Sequence, residues 1–319
     1  MGLEIGYLPI RLTSSDRHAR RALVERAEDA GLDHVAVGDH VSFYVGAGFD
    51  ALVGAASVLA ASRSLATNTA VYLLPLRHPV LVARQLSDLA AMAPGRLRFG
   101  VGIGGEDPHE LEICGIDPKT RGRRMDECLQ LVRDLMTGEA VSFDGEFYSV
   151  TNASIIPPPS MPIPLIVGGR SDAAIQRAGR RGDGWFGIWV SAQRYAAVVS
   201  QLQEAASAVG RNSDGFANAL NVWCGVGTSP EVARSNVAAG MEAFYQLPYD
   251  RFETWSPFGT PDRIADFLEP YVDAGCTLFN LIVQGTSVEE EIEAASEIRQ
   301  RLLERCRSSV RPVGDNDER

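Results

Sequence analysis

The feature that most constrains this chain is a rhythm. Short apolar runs alternate with longer amphipathic stretches from the first residues to beyond position 300. Leu3 to Tyr7 reads as a buried strand. Residues 16–30 follow with Ala19, Leu23, Val24, Ala27 and Ala30 at helical spacing, and Gly31 sits where a left-handed cap belongs. The pair then recurs. Strand 34–37 precedes helix 49–61, strand 67–74 precedes helix 80–93, and strand 97–101 precedes a delayed helix at 121–137. Strand 165–167 leads to helix 172–181, 184–188 to 192–209, 220–226 to 230–246, and 278–283 to 288–306. Thr260-Pro261 opens a further helix before the last strand, as N-cap and first helical residue. A strand followed by a crossover helix makes the next strand parallel. Eight such units predict an α/β fold, a single (β/α)8 TIM barrel, in preference to an open doubly wound sheet.

The length fits that reading. A chain of 319 residues leaves room for two ordinary domains. Yet eight units average about 40 residues each, and the excess is concentrated between 105 and 163. That stretch reads as an insertion at one end of the barrel. It carries a hairpin signal at Asp144-Gly145 and an extended crossing at Pro157-Pro158-Pro159. We expect one barrel domain over 1–308 and a flexible polar tail over 309–319.

Composition excludes several partners. Asp plus Glu is 41 against 30 Lys plus Arg, a net charge of −11, so no nucleic-acid partner is expected. No run approaches the ~20 continuous apolar residues of a membrane span, so no membrane partner is expected either. The N-terminal residues lack the basic region of a signal peptide. Cys114, Cys128, Cys224, Cys276 and Cys306 form no CxxC pair, which argues against disulfides or zinc and for a cytoplasmic location. With five His and no HExxH, no metal is expected.

In parallel barrels the chemistry sits at the C-terminal ends of the strands. Asp39-His40 follows the second strand and offers an acid/base pair, or else a cap and a packed ring. Arg77, in Leu74-Pro75-Leu76-Arg77-His78-Pro79, can meet an anion or merely stiffen a turn. Gly100-Val101-Gly102-Ile103-Gly104-Gly105-Glu106 lets backbone approach a ring or phosphate. Its GxGxxG pattern lacks the surrounding βαβ fingerprint, so nicotinamide dinucleotide binding is rejected. Glu106 is a second candidate acid, or a solvated charge. The sharpest site is Gly168-Gly169-Arg170-Ser171-Asp172. There a strand meets a helix N-terminus whose free N–H groups, with Arg170 and the Ser171 hydroxyl, suit a phosphate. Gly182-Asp183-Gly184-Trp185 reads as structural. Arg121, Arg123 and Arg124 read as a solvated helix start, with reach toward an acidic tail as the alternative.

Taken in order, these motifs resemble the luciferase-like monooxygenase superfamily, within it the coenzyme F420-dependent oxidoreductases. The resemblance spans about residues 3–305. It rests on Glu25-Arg26-Ala27-Glu28-Asp29-Ala30-Gly31-Leu32-Asp33, Gly38-Asp39-His40, Leu74-Pro75-Leu76-Arg77-His78-Pro79 and residues 95–102. It continues with residues 121–127, Gly145-Glu146-Phe147-Tyr148, residues 163–169 and Gly182-Asp183-Gly184-Trp185. The resemblance implies a barrel with an insertion, a homodimer, and a deazaflavin or flavin in the barrel mouth. It implies a non-prolyl cis peptide behind the ring, within Val71-Tyr72-Leu73. It implies cofactor contacts from Asp39, Val71, Tyr72, Leu73, Gly102, Gly104, Gly168, Gly169, Arg170 and Ser171, with His40 and Glu106 facing a small-molecule substrate. The sequence departs from the sugar-phosphate branch after His40, at Val41-Ser42-Phe43-Tyr44. Coenzyme F420 is the favoured cofactor and FMN, in a monooxygenase, the alternative. A binding protein without turnover is the third reading. Phe43, Tyr44, Trp189, Trp255 and the 105–163 insertion are expected to line the substrate pocket.

Overall fold

The computed structural model describes residues 2–10, 16–44 and 46–309. Eight parallel strands close into a barrel: Glu4–Tyr7, His34–Val37, Ala66–Thr69 continued at Tyr72–Leu73, Leu97–Gly102, Leu165–Gly168, Trp185–Ile188, Ala219–Gly225 and Leu278–Gln284. Closure is made between the fourth and fifth strands, with Leu165 opposite Phe99 and Val167 opposite Val101. The first and eighth strands pair from Glu4 opposite Leu278 to Tyr7 opposite Leu281.

Helices α1 (Arg17–Asp29), α2 (Ala51–Ala61), α3 (Pro79–Met92), α4 (Pro108–Ile113), α5 (Arg121–Leu135), α6 (Asp172–Arg181), α7 (Ala192–Ser207), α8 (Pro230–Tyr245), α9 (Pro261–Asp273) and α10 (Val288–Ser309) surround it. Their starts are those the capping chemistry names. Asp16 accepts from the N–H groups of His18 and Ala19, Ser171 from Ala174, and Thr260 from Arg263, each meeting amides that have no partner inside their helix. The outward faces of the strands pack on the helices in one continuous core, from Ile5 and Val24 through Leu86, Leu129 and Leu202 to Leu302.

The structure differs from the expected pattern at several connections. Phe49 ends a small antiparallel hairpin, His40–Phe43 with Ala47–Phe49, and helix α2 starts later because Asp50 caps the amides of Leu52 and Val53. The third strand breaks at the cis peptide between Ala70 and Val71, one bond ahead of the expected segment. Leu74–Leu76 then forms a short 3-10 turn instead of strand. Two more such turns, Tyr249–Arg251 and Glu253–Trp255, follow α8 where no element was expected. The insertion holds α4, α5 and the hairpin Val141–Asp144 with Ser149–Ala153. The expected tail begins at Ser309, which closes α10, and 310–319 lie outside the described residues. No helix of the described residues is long and apolar enough to cross a membrane.

The inside of the barrel is unusually polar at its foot. His34 is fully buried, and its Nε2 lies 2.8 Å from Asn280 Oδ1. The Asn280 amide donates in turn to Asn221 Oδ1 at 2.7 Å. Arg98 pairs with Glu4, and Arg299 forks onto Asp33.

Candidate active site

One cleft opens at the C-terminal ends of the strands and encloses about 1130 Å³ of space that runs into solvent. Ten of the twelve sequence-named site residues can be placed against it directly. Asp39, His40, Val71, Leu73, Gly102, Gly104, Glu106, Gly168, Gly169 and Arg170 all line it. Tyr72 and Ser171 do not. Tyr72 is 1% exposed, packs 5.3 Å from the Phe99 ring and carries the Arg77 guanidinium on its face, because strand alternation turns it away from its lining neighbours Val71 and Leu73. Ser171 is committed to the α6 cap, accepting from the Ala174 amide.

The cleft has a glycine side. The fifth strand ends in Gly168-Gly169, with Gly169 at φ +128°, and Arg170 and Ser171 lead into α6. A side chain on Gly168 would put its Cβ 3.2 Å from Val71 Cγ1, and one on Gly102 would meet Val71 Cγ2 at 2.6 Å. Bare backbone therefore flanks Val71 on both sides and leaves room for a flat group. Trp185 fixes the corner from behind, its indole N–H donating to the Gly169 carbonyl at 2.7 Å. The Arg170 guanidinium lies 5.2 Å over Trp189. Amides at a helix start, a helix dipole and a guanidinium make this corner suit an anion.

The other side of the cleft carries an imidazole. His40 Nδ1 lies 2.9 Å from Glu110 Oε2, while the Val41 and Ser42 amides donate to Oε1 at 2.7 and 3.2 Å. Burial alone would raise the Glu110 carboxyl, but its bonds from His40 and the two amides outweigh burial and hold it below the usual range. An ionised carboxylate only accepts, so the Nδ1 proton of a neutral His40 points at Glu110 and Nε2 keeps its lone pair. The ring is clamped by Phe43, stacked at 3.9 Å, and touched edgewise by Phe49 and Phe244.

Glu106 faces the same cleft. Burial raises its carboxyl pKa, and the nearby charges of His40 and Arg170 oppose the rise. Asp39 is of another kind. Its carboxylate receives both Arg77 nitrogens at 2.6 and 2.8 Å and the amides of Leu73 and Ala51. Burial raises its pKa, against the pull of Arg77 and the amides. Arg77 is thereby a pin between the ends of the second and third strands, not a free anion receptor.

Glu110 is the residue that sequence reasoning missed. Its signal was present: Asp107-Pro108-His109-Glu110 is an N-cap, a first-turn proline and an acid three residues past the cap. The pocket aromatics were also misplaced. Phe43 stacks behind His40, Trp189 lies under Arg170, and Tyr44 and Trp255 are outside the lining. The apolar wall comes from Phe49, Trp223, Phe244 and Tyr245. Of the insertion, only Gly105, Glu106 and Glu110 at its start reach the cleft, since α5 packs on α3 and the turn after the third strand. Arg123 pairs with Glu146 and Arg124 covers Phe147. Arg121 reaches the back of Gly105, its guanidinium carbon 3.0 Å from where a Cβ would stand.

Comparisons with known proteins bear on the family and the fold. The chain is 41% identical over 154 residues to an uncharacterised protein of Mycobacterium tuberculosis, an alignment covering 47% of this chain and 53% of that protein. The chain thus spans about half the length of the curated relatives of that group. It is 29% identical over 326 residues to the F420-dependent glucose-6-phosphate dehydrogenase of Kribbella flavida, covering 91% of this chain and 95% of the relative. The fold superposes with a TM-score of 0.84, at 20% identity, on an F420-dependent secondary alcohol dehydrogenase solved with an F420–acetone adduct, covering 95% of this chain and 99% of the other. The sequence pattern of the luciferase-like monooxygenase family matches residues 8–278. A closed barrel, a glycine-lined anion corner and a family pattern over most of the chain lead to one assignment: the chain belongs to the luciferase-like monooxygenase family.

Proposed function

We propose that this protein is an oxidoreductase that uses coenzyme F420 and a small organic substrate. The observation that carries this reading is one cleft holding, on one side, a glycine-flanked anion corner at Gly168-Gly169-Arg170 and, on the other, an imidazole backed by a buried carboxylate. The flat space beside Val71 and the corner fit a ring and a phosphate. Gly168, Gly169 and Arg170 would hold the phosphate, and Val71, Leu73, Gly102 and Gly104 would border the ring. When bound, the deazaflavin supplies a two-electron centre that accepts or returns a hydride.

The chain's own part is orientation and proton transfer. His40 takes a proton from a substrate hydroxyl at Nε2, or gives one to a carbonyl in the reverse direction. Glu110 fixes its tautomer and compensates the positive charge that forms. Glu106 is the second acid. Phe43, Phe49 and Phe244 hold the ring in place. Free cysteines throughout the described residues support a reducing, cytoplasmic setting. Val53 on α2 and Leu81 on α3, apolar and 64% and 65% exposed on adjacent helices, support a homodimer formed through that face.

The test is a titration of the apo-protein with F420 and with FMN, followed by fluorescence. The expected result is saturable F420 binding. Tight FMN binding with none for F420 gives the monooxygenase reading instead. Bound F420 that no donor or acceptor can reduce or oxidise gives the non-catalytic one.

A further inference from the structure

The cleft is as informative in what it lacks as in what it holds. Arg170 is the one Lys or Arg side chain among the described lining residues, and it stands at the anion corner. The single lysine of the chain, Lys119, lies outside the lining. On the reading above, on which this inference rests, the cofactor takes that corner. What remains for the substrate is bounded by His40 and an aromatic wall of Phe49, Trp223, Phe244 and Tyr245.

Two polar atoms of that wall, the Trp223 indole N–H and the Asn221 carbonyl oxygen, are already engaged. The Tyr245 hydroxyl accepts from the Trp223 indole N–H at 3.2 Å, and Asn221 Oδ1 accepts from Asn280. The fixed charges beside His40 at the substrate side are acidic, and His40 is the one group there that can turn positive. Glu106 faces the cleft and Glu110 lies behind His40. A phosphate or carboxylate placed there would leave water for aromatic faces and carboxylates, with no fixed cation of its own. Such burial is costly without pairing, and like charges raise the cost.

We propose that the substrate is an uncharged molecule with a compact apolar body, an alicyclic or aromatic ring, carrying one hydroxyl or carbonyl that His40 addresses. The apolar body covers the aromatic wall, and the single oxygen is the only group that needs a polar partner. A sugar phosphate, the substrate in the name of the Kribbella flavida relative, has the wrong charge and the wrong surface for this wall.

The experiment uses two ketones of like shape at pH 7.5, 4-methylcyclohexanone and 4-oxocyclohexanecarboxylate, with glucose 6-phosphate as a third ligand. Binding to the F420-loaded protein is read by calorimetry, and oxidation of reduced F420 is read by absorbance. The neutral ketone is expected to bind at least about tenfold tighter than its carboxylate, close to 1.4 kcal/mol, with glucose 6-phosphate weaker still. A Phe244→Arg variant, compared at saturating F420, is expected to narrow or reverse the preference. Equal or tighter binding of the carboxylate or of glucose 6-phosphate overturns the proposal, and so does failure of the neutral ketone to bind. The F420 affinity is measured first and separately. If F420 does not bind, the cofactor reading falls, and the same ligands titrated into an apo-protein carrying Arg170→Ala, whose corner no longer draws an anion, still decide the charge preference of the wall.

Discussion

The second strand carries a histidine at its foot and another just past its top, and the two have opposite fates. His34 is sealed in the barrel, one nitrogen on Asn280 and the ring pressed against Gly6. Burial, with the Arg98 charge adding to it, lowers its pKa to about 4, so it is neutral. His40 stands in the cleft, one nitrogen on an ionised carboxylate and the rest of the ring toward open space. The residue type is the same; the difference lies in what the neighbouring strands present. The foot is a buried polar cluster, His34–Asn280–Asn221, with Glu4–Arg98 and Asp33–Arg299 around it. The mouth keeps His40, Glu106 and Arg170 in reach of a ligand. A barrel can thus use one set of charged residues to seal one end and another to work at the other.

That contrast can be broken in four ways. The largest effect belongs to His40→Ala, which should cut turnover by about 10²–10⁴-fold while F420 affinity and the unfolding midpoint hold. Full turnover in a folded, cofactor-binding variant would remove His40 from the chemistry. Asp39→Ala tests whether the mouth also has a purely structural charge. It leaves Arg77 without its bidentate partner and should cost about 3–5 kcal/mol in urea unfolding. An undiminished midpoint would show that the pair is dispensable.

The third concerns the foot. The folded pKa of His34, about 4, lies below its unfolded value near 6.5. The unfolded chain therefore binds the extra proton first, and the stability from neutral His34 is complete above about pH 6.5 and lost as pH falls toward 4. The loss amounts to about 3 kcal/mol over that window. His34→Gln should flatten it, and an unchanged slope would assign the acid sensitivity elsewhere. The smallest effect is Glu110→Gln, expected to lower kcat about 10–100-fold with F420 affinity kept, and Glu110→Asp should restore part of it. If both variants lose cofactor and stability together, Glu110 holds only the loop.

The sequence made the barrel legible because each strand and helix announces itself locally, through apolar runs, caps and glycine stops. The glycine corner of the cleft was legible for the same reason: strand, two glycines, arginine and N-cap are consecutive residues. Glu110 was not, since it acts on a partner 70 positions away, and only the docking of the fourth connection on the hairpin brings them together. The aromatic wall failed for a related reason. Phe43 and Phe49 flank one hairpin, and which of them faces the cleft depends on a register irregularity between His40 and Phe43 that no residue pattern displays. Phe244 and Tyr245, at the end of α8, enter the site from the far side of the barrel.

The carboxylate behind His40 rides on α4, in the same connection that supplies Gly104, Gly105 and Glu106 to the cleft. That connection is fastened to the hairpin at three amides, two through Glu110 and one, from Tyr44, through Asp107. Lifting it would widen the entrance and, in the same motion, strip the imidazole of its counter-charge. The charge balance of the imidazole is therefore set by where one short piece of chain rests.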